Sequence, residues 1–258
     1  AKRLFAAVER PNVMIKIPAT PAGTPAIEAA IAAGINVNVT LIFSLAQYNA
    51  AAEAYVAGLE KLVETGRSPA KTASVASFFV SRVDTAVDSA LERLGRTEFQ
   101  GKIAVDNARL AYARFRELFA GPRWEKLARA GARVQRPLWA STGTKNPNYP
   151  DTIYVDSLIG PDTVNTIPPT TLKAFMDHGQ VALTVDKDIE DARARMANLA
   201  DLGIDFDAVS KKLLDEGVAA FAKAFESLMG SIAGKRDRLL AQGRPGARGP
   251  SGRKEAPK

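Results

Sequence analysis

The stretch that decides the fold is Gly34-Ile35-Asn36-Val37-Asn38-Val39-Thr40-Leu41-Ile42-Phe43-Ser44, residues 34–44. Apolar and polar residues alternate through most of it, and a period of two places Asn36, Asn38 and Thr40 on one face of a strand. In an open sheet this polar face could be the solvent side. In a closed parallel barrel it would be the interior, where polar groups near the carboxyl ends of the strands line the active site.

Short β-rich runs alternate with longer amphipathic helices along the rest of the chain. The five predicted strands cover residues 12–17, 35–43, 72–80, 133–141 and 163–167. Strands separated by helices at this spacing indicate βα units and a parallel sheet. The sequence therefore predicts the α/β class, with helices alone after the last strand.

Composition restricts the chemistry that the chain can perform. The absence of cysteine excludes disulfides, thiolate nucleophiles and cysteine-ligated metals. The single histidine, His178, is too little for a histidine triad or a multi-histidine metal site, and its position predicts a solvated helix end. No stretch approaches the roughly 20 apolar residues that a membrane-spanning helix needs, so we expect a cytoplasmic protein with no membrane partner.

The net charge of +7 is concentrated near the C-terminus. Residues 235–258 carry eight Lys or Arg against two acidic residues, which gives +6 and leaves +1 for residues 1–234. Residues 241–258 lack apolar periodicity, so we predict a folded domain over residues 1–240 and a disordered basic tail over residues 241–258. A nearly neutral body argues against specific nucleic-acid binding. Association through the tail stays an alternative, which deletion of residues 241–258 would test.

Lys16 interrupts an otherwise apolar predicted strand, Asn12-Val13-Met14-Ile15-Lys16-Ile17. A buried parallel strand tolerates an ammonium group only if desolvation lowers its pKa or a ligand binds it. A lysine in that environment can form a Schiff base with a carbonyl. The alternative is a lysine that extends from the strand end into solvent, and the pattern alone leaves both open.

Two loop cations follow predicted strand ends that carry hydroxyl groups. Arg82 comes five residues after Ser77, and Lys145 comes four residues after Ser141. Cations over the mouth of a barrel suit a phosphate group, with Arg82 as a planar fork and Lys145 as a point charge. A surface cation in a loop is usually only solvated, so neither residue is decisive by itself.

The order of these segments carries a resemblance to a known family. Ile15-Lys16-Ile17-Pro18-Ala19-Thr20, residues 34–44 and Ser77-Phe78-Phe79-Val80-Ser81-Arg82 together resemble the transaldolase family. The later stretches WASTGTKNP, residues 139–147, and DTVNTIPPTTL, residues 162–172, look like its actinobacterial branch. The resemblance covers residues 1–234.

This resemblance implies a (β/α)8 TIM barrel in which the five predicted strands are the fourth to the eighth, so that the chain is a partial barrel. The edges would be the strands at 12–17 and 163–167. The implied enzyme uses no cofactor and no metal. It is a transaldolase that moves a dihydroxyacetone unit from sedoheptulose 7-phosphate to glyceraldehyde 3-phosphate in the pentose phosphate pathway.

The resemblance also implies a role for each site residue. The implied catalytic residues are Lys16, the Schiff-base nucleophile, and Thr40, which would hold the catalytic water. The implied substrate-binding residues are Asn38 and Ser77 for the dihydroxyacetone moiety, Phe79 as a wall of the site, and Arg82, Ser141 and Lys145 for the phosphate.

Two departures from the family pattern affect these expectations. Many transaldolases have an arginine where Lys145 falls, which puts bidentate phosphate binding there in question. The family's acid/base glutamate and a second carboxylate, on its third and first strands, have no counterpart, so we expect an N-terminally truncated chain with impaired turnover. The alternatives are a non-catalytic phosphosugar-binding or vestigial fragment and a class I aldolase of the fructose 6-phosphate aldolase type.

Overall fold

A computed structural model describes residues 1–243, and in it five parallel strands form one sheet in the order β1-β2-β3-β4-β5. The strands are β1 (Ile15–Pro18), β2 (Val37–Ile42), β3 (Ser74–Phe79), β4 (Arg136–Ala140) and β5 (Val164–Asn165). The predicted α/β class and the five parallel strands are confirmed, although each strand is shorter than its predicted run. Within the described residues the sheet is open, and β1 and β5 are its edges, as predicted.

Helices precede, connect and follow the strands. They are α1 (Lys2–Val8), α2 (Gly23–Ala32), α3 (Leu45–Glu64), α4 (Ser81–Arg93), α5 (Ile103–Leu118), α6 (Gly121–Arg129), α7 (Ile153–Asp156), α8 (Pro169–His178), α9 (Ile189–Asp201) and α10 (Phe206–Gly243). No helix among residues 1–243 is long and apolar enough to cross a membrane. His178 ends α8 and is exposed, as predicted, and its ring nitrogens lie 2.9 Å from an Asp151 carboxylate oxygen and 3.1 Å from one of Asp177.

The chain divides into two compact units, Ala1–Glu216 and Gly217–Lys258. Helix α10 continues to Gly243, so residues 241–243 of the predicted tail are helical. The rest of that tail, residues 244–258, lies outside the described residues.

The core of the first unit forms on the apolar side of β2. Val37, Val39 and Leu41 alternate with the polar residues and are fully buried against the helices. The register between β2 and β3 shifts between Val39 and Ile42, and Leu41 has a φ of 61°. That left-handed conformation is unfavourable for a leucine, and such an irregularity in a strand redirects the side chains around it. The shift therefore lies next to Thr40, at the carboxyl end of the strand.

Asn36 belongs to the polar face by period, but its amide is used entirely by the backbone. Its Nδ2 donates to the carbonyls of Pro11 at 3.0 Å and Val13 at 3.1 Å, and its Oδ1 accepts from the backbone N–H of Ala73 at 2.8 Å. The side chain thus ties the segments that lead into β1 and β3 to the start of β2. Only the later polar positions of β2 are left for a site.

Candidate active site

Lys16, Asn38 and Ser77 lie on three neighbouring strands. Lys16 pairs in register with Asn38 across β1 and β2, and in-register residues of parallel strands project from the same face. Ser77 Oγ donates to Asn38 Oδ1 at 2.7 Å. The structure therefore brings together three of the predicted site residues, in the order in which the strands lie.

Lys16 is an exposed residue of an edge strand, but the protein around it still affects its pKa. Burial lowers the pKa of this lysine from its usual value of 10.5. Desolvation disfavours the charged form of an amine, and the neutral amine is the form that attacks a carbonyl. The environment therefore makes the neutral, nucleophilic fraction of Lys16 larger than that of a free lysine at the same pH.

Thr40 is buried two residues further along β2. Its side chain is 1% exposed, and its Oγ1 has no hydrogen-bond partner among the described residues. A buried hydroxyl without a partner costs free energy until a water molecule or a ligand supplies one. This environment fits the predicted role of Thr40 in holding a water.

Phe79 and Arg82 meet where β3 passes into α4. Phe79 is 7% exposed, and the Arg82 guanidinium carbon lies 5.5 Å from the centroid of its ring. A guanidinium over an aromatic face is held by a cation–π attraction. Phe79 thus fixes Arg82 near the carboxyl end of the strand that carries Ser77.

Ser141 directly follows β4 and is held by the first residue of α4. Ser81 donates its backbone N–H to the Ser141 carbonyl at 3.0 Å, and the two hydroxyl oxygens lie 2.9 Å apart. Ser141 has a φ of 57°, in the left-handed region. Ser81 is a neighbour of the site to which the sequence motifs assigned no role.

Lys145 is exposed in the loop from residue 141 to 152, between β4 and α7. Together with Arg82 it lines a groove whose other cations are Arg93 and Lys212. Ser141 does not line this groove, although it starts the same loop. The two predicted cations therefore line one groove, although Arg82 lies in the first turn of α4 and not in a loop as predicted.

The family relationship rests on comparison with known proteins. The family model described as "Transaldolase/Fructose-6-phosphate aldolase" matches residues 1–232. This chain belongs to the transaldolase/fructose-6-phosphate aldolase family. The resemblance that the motifs predicted is therefore confirmed.

Several transaldolases are about half identical to this family member. A transaldolase of Frankia alni is 52% identical over 237 residues, which cover 90% of this chain and 64% of that protein. Transaldolase 1 of Streptomyces avermitilis is 54% identical over 90% of this chain and 63% of its own length. Transaldolase 2 of Nostoc sp. is 46% identical over 91% and 65%. The chain thus spans less than two thirds of the length of each of these relatives.

One side-chain network in this transaldolase-family chain was not predicted from the motifs. Asp84 and Asp88, on α4, accept hydrogen bonds at 2.7 Å from the hydroxyls of Tyr154 and Tyr149. Burial raises the pKa of Asp84 to about 7, against the opposing effect of the hydrogen bonds from Tyr154 and Ala104. The sequence signal that could have indicated this network is the spacing of Asp84 and Asp88, four residues apart on one helix, each next to a valine that is buried in the structure.

Proposed function

We propose that this chain is a transaldolase that acts through a Schiff base on Lys16. It moves a dihydroxyacetone unit from sedoheptulose 7-phosphate to glyceraldehyde 3-phosphate in the pentose phosphate pathway. The observation that carries the proposal is the row of Lys16, Asn38 and Ser77 on adjacent strands of a family member. We further propose that the strands are the fourth to the eighth of a (β/α)8 barrel domain over residues 1–240, in a cytoplasmic enzyme.

The chemistry follows from the amine and its neighbours. The neutral Lys16 amine adds to the ketose carbonyl, and loss of water gives an iminium ion. The hydroxyl on the fourth carbon of the ketose loses its proton to water, the bond between the third and fourth carbons breaks, and the iminium accepts its electron pair, which releases an aldose and leaves an enamine. The enamine then attacks the acceptor aldehyde, whose oxygen takes up a proton, and water hydrolyses the new Schiff base. Asn38 and Ser77 bind the hydroxyls of the three-carbon unit, and Thr40 holds the water.

Reductive trapping tests this proposal directly. Incubation with sedoheptulose 7-phosphate and borohydride is expected to leave a reduced three-carbon adduct on the intact chain, detected by mass spectrometry. A chain that binds phosphosugars without catalysis, the non-enzyme alternative, would give no adduct. Absence of an adduct at every pH between neutral and about 10, the range over which a lysine amine becomes neutral, would therefore contradict the proposed function.

The family description also favours a second candidate, fructose 6-phosphate aldolase. An aldolase releases free dihydroxyacetone from fructose 6-phosphate, whereas a transaldolase retains the three-carbon unit until an acceptor aldehyde arrives. Product analysis without an acceptor separates the two. We expect free dihydroxyacetone to stay near background and fructose 6-phosphate consumption to require the acceptor.

Arg82 is expected to contribute phosphate affinity rather than chemistry, because it lies beyond the strand end and is held by Phe79. In Arg82→Ala, the concentration of fructose 6-phosphate that half-saturates trapping should rise about tenfold, as expected for the loss of one charge-assisted contact. The maximal trapping rate should change little. Arg129→Ala, an exposed arginine of α6, is the matched control. A change in the maximal rate alone would assign Arg82 to the chemistry instead.

A further inference from the structure

Tyr149 lies in the loop that carries Lys145, four residues after it, and is held from three sides. Its hydroxyl donates to Asp88 Oδ2 at 2.7 Å, and its backbone N–H donates to the Asn146 carbonyl at 3.2 Å. Its ring covers Gly101 so closely that a Cβ built there would lie 2.9 Å from the ring. Gly101 in turn donates its N–H to Asp88 Oδ1 at 3.1 Å. Both oxygens of Asp88 are thus used to seat this tyrosine against the Gly101 backbone.

The same loop is attached to α4 at two further points. Ser141, at its start, contacts Ser81, and Tyr154, just after its end, donates to Asp84 Oδ2 at 2.7 Å. The three contact positions on α4, residues 81, 84 and 88, are spaced three and four apart and therefore lie along one face of the helix. Along the chain, Lys145 lies between two of these attachment points, Ser141 and Tyr149. The loop's last residues also contact α8, through Asp151 and His178.

Helix α4 also presents Arg82, next to the attachment face. Arg82, Arg93 and Lys145 line the groove, and Lys145 also lines a second cleft together with Asp84, Asp88 and Tyr149. Whether the Lys145 ammonium group lies in the groove or in the second cleft therefore depends on the position of the loop relative to α4. An ammonium group near those carboxylates would be drawn away from an anion in the groove.

We propose that Tyr149 and Asp88 are positioning residues that hold Lys145 beside Arg82, so that both cations reach one phosphate group. This inference rests on the proposed function, because it assigns the groove to the substrate phosphate. Lys145 is a flexible point charge on a long stem, without the fixed fork of an arginine. Because the loop is attached to α4 on both sides of Lys145, the loop loses less conformational entropy when a phosphate group binds.

The experiment measures inorganic phosphate affinity and trapping in parallel, at one constant pH because His178 also titrates. Tyr149→Phe removes the hydroxyl and keeps the ring over Gly101. Its phosphate affinity is expected to fall about three- to tenfold, toward the value for Lys145→Ala, as a hydrogen bond to a charged group is lost. Half-saturation by fructose 6-phosphate should shift equally, whereas trapping of unphosphorylated dihydroxyacetone should not change. A merely structural defect would affect both substrates.

Two further variants control the comparison. Tyr55→Phe removes a tyrosine hydroxyl with an equally short bond, 2.7 Å to the Arg133 carbonyl, before β4 and away from the loop. It should leave phosphate affinity unchanged. Asp88→Asn can still accept from Gly101 and can donate to the Tyr149 oxygen, so it should retain most of the affinity that Asp88→Ala loses.

The outcomes separate this inference from the proposed function. If the wild-type chain gives no trapped adduct, the proposed function fails. The phosphate affinities of the variants still test whether Tyr149 and Asp88 position Lys145. If trapping succeeds and Tyr149→Phe binds phosphate like the wild type, the positioning role is overturned. It is overturned as well if Lys145→Ala has no effect on phosphate affinity. Should Tyr149→Phe lose its circular-dichroism spectrum, the Asp88→Asn and Asp88→Ala pair decides.

Discussion

Lys16→Arg is expected to abolish the borohydride-trapped adduct and to reduce any turnover by about 10⁴-fold or more, the size of loss seen when a covalent nucleophile is removed. Arginine keeps the positive charge and the long stem, but its guanidinium stays protonated and does not add to carbonyls. The variant therefore removes the nucleophile and leaves the electrostatics of the strand edge almost unchanged. Peptide mapping of the wild-type adduct should place the reduced carbon chain on Lys16.

The pH dependence of trapping gives a second measurement on the same residue. Burial lowers the pKa of Lys16, so the neutral fraction rises with pH and reaches its maximum at a lower pH than for a free lysine. The trapping rate should accordingly rise from neutral pH with a midpoint below the usual lysine pKa of 10.5. Lys187→Arg, at an exposed position between α8 and α9, should trap like the wild type. An adduct on another lysine, or one that persists in Lys16→Arg, would assign the nucleophile elsewhere.

The sequence predicted the strands that carry this chemistry because their pattern is local. Alternation in residues 34–44 defined β2 and its polar face, and a lone lysine in an apolar run located β1. Once parallel pairing is assumed, residues at equivalent strand positions must meet, as Lys16 and Asn38 do. The role of Asn36 could not be seen, because period two gives its face and not its partners. Those partners are backbone groups before β1 and β3.

The network on α4 was beyond sequence reasoning for a different reason. Tyr149 and Tyr154 lie 61 and 70 residues from the aspartates that they contact, and no motif links positions at such separations. A tyrosine in a loop and an aspartate on a helix are each ordinary without the tertiary contact. The shift in register beside Leu41 is similar, since leucine gives no local signal for a left-handed conformation. Side-chain pairs of this kind can be identified only once the fold is known.

Asp84→Asn is expected to stabilise the protein by about 4 kcal/mol at pH 8 and by less than about 1 kcal/mol at pH 4. Asp84 is 1% exposed, and burial raises its pKa from 3.8 to about 7. In that interval the folded chain binds more protons than the unfolded chain, so the free energy of unfolding falls as pH rises. A pKa that differs by one between the folded and unfolded chains corresponds to about 1.4 kcal/mol, and the loss is complete once the pH exceeds the folded-state pKa. The other titratable groups that face this carboxyl or influence it are Asp88, Asp106, Tyr149 and Tyr154.

Asparagine is the appropriate replacement because it resembles the protonated acid. Its oxygen can accept from the Ala104 N–H, which lies 2.8 Å from Asp84 Oδ1, and its amide can donate to the Tyr154 oxygen in place of the acid proton. Urea unfolding of both proteins from about pH 4 to 9 measures the difference, in which the titration of all other groups largely cancels. The exposed Asp201→Asn serves as control and should run parallel to the wild type. Parallel curves for Asp84→Asn as well would mean that Asp84 is already ionised at pH 5. The hydrogen bonds from Tyr154 and Ala104 would then lower the pKa of Asp84 by more than desolvation raises it.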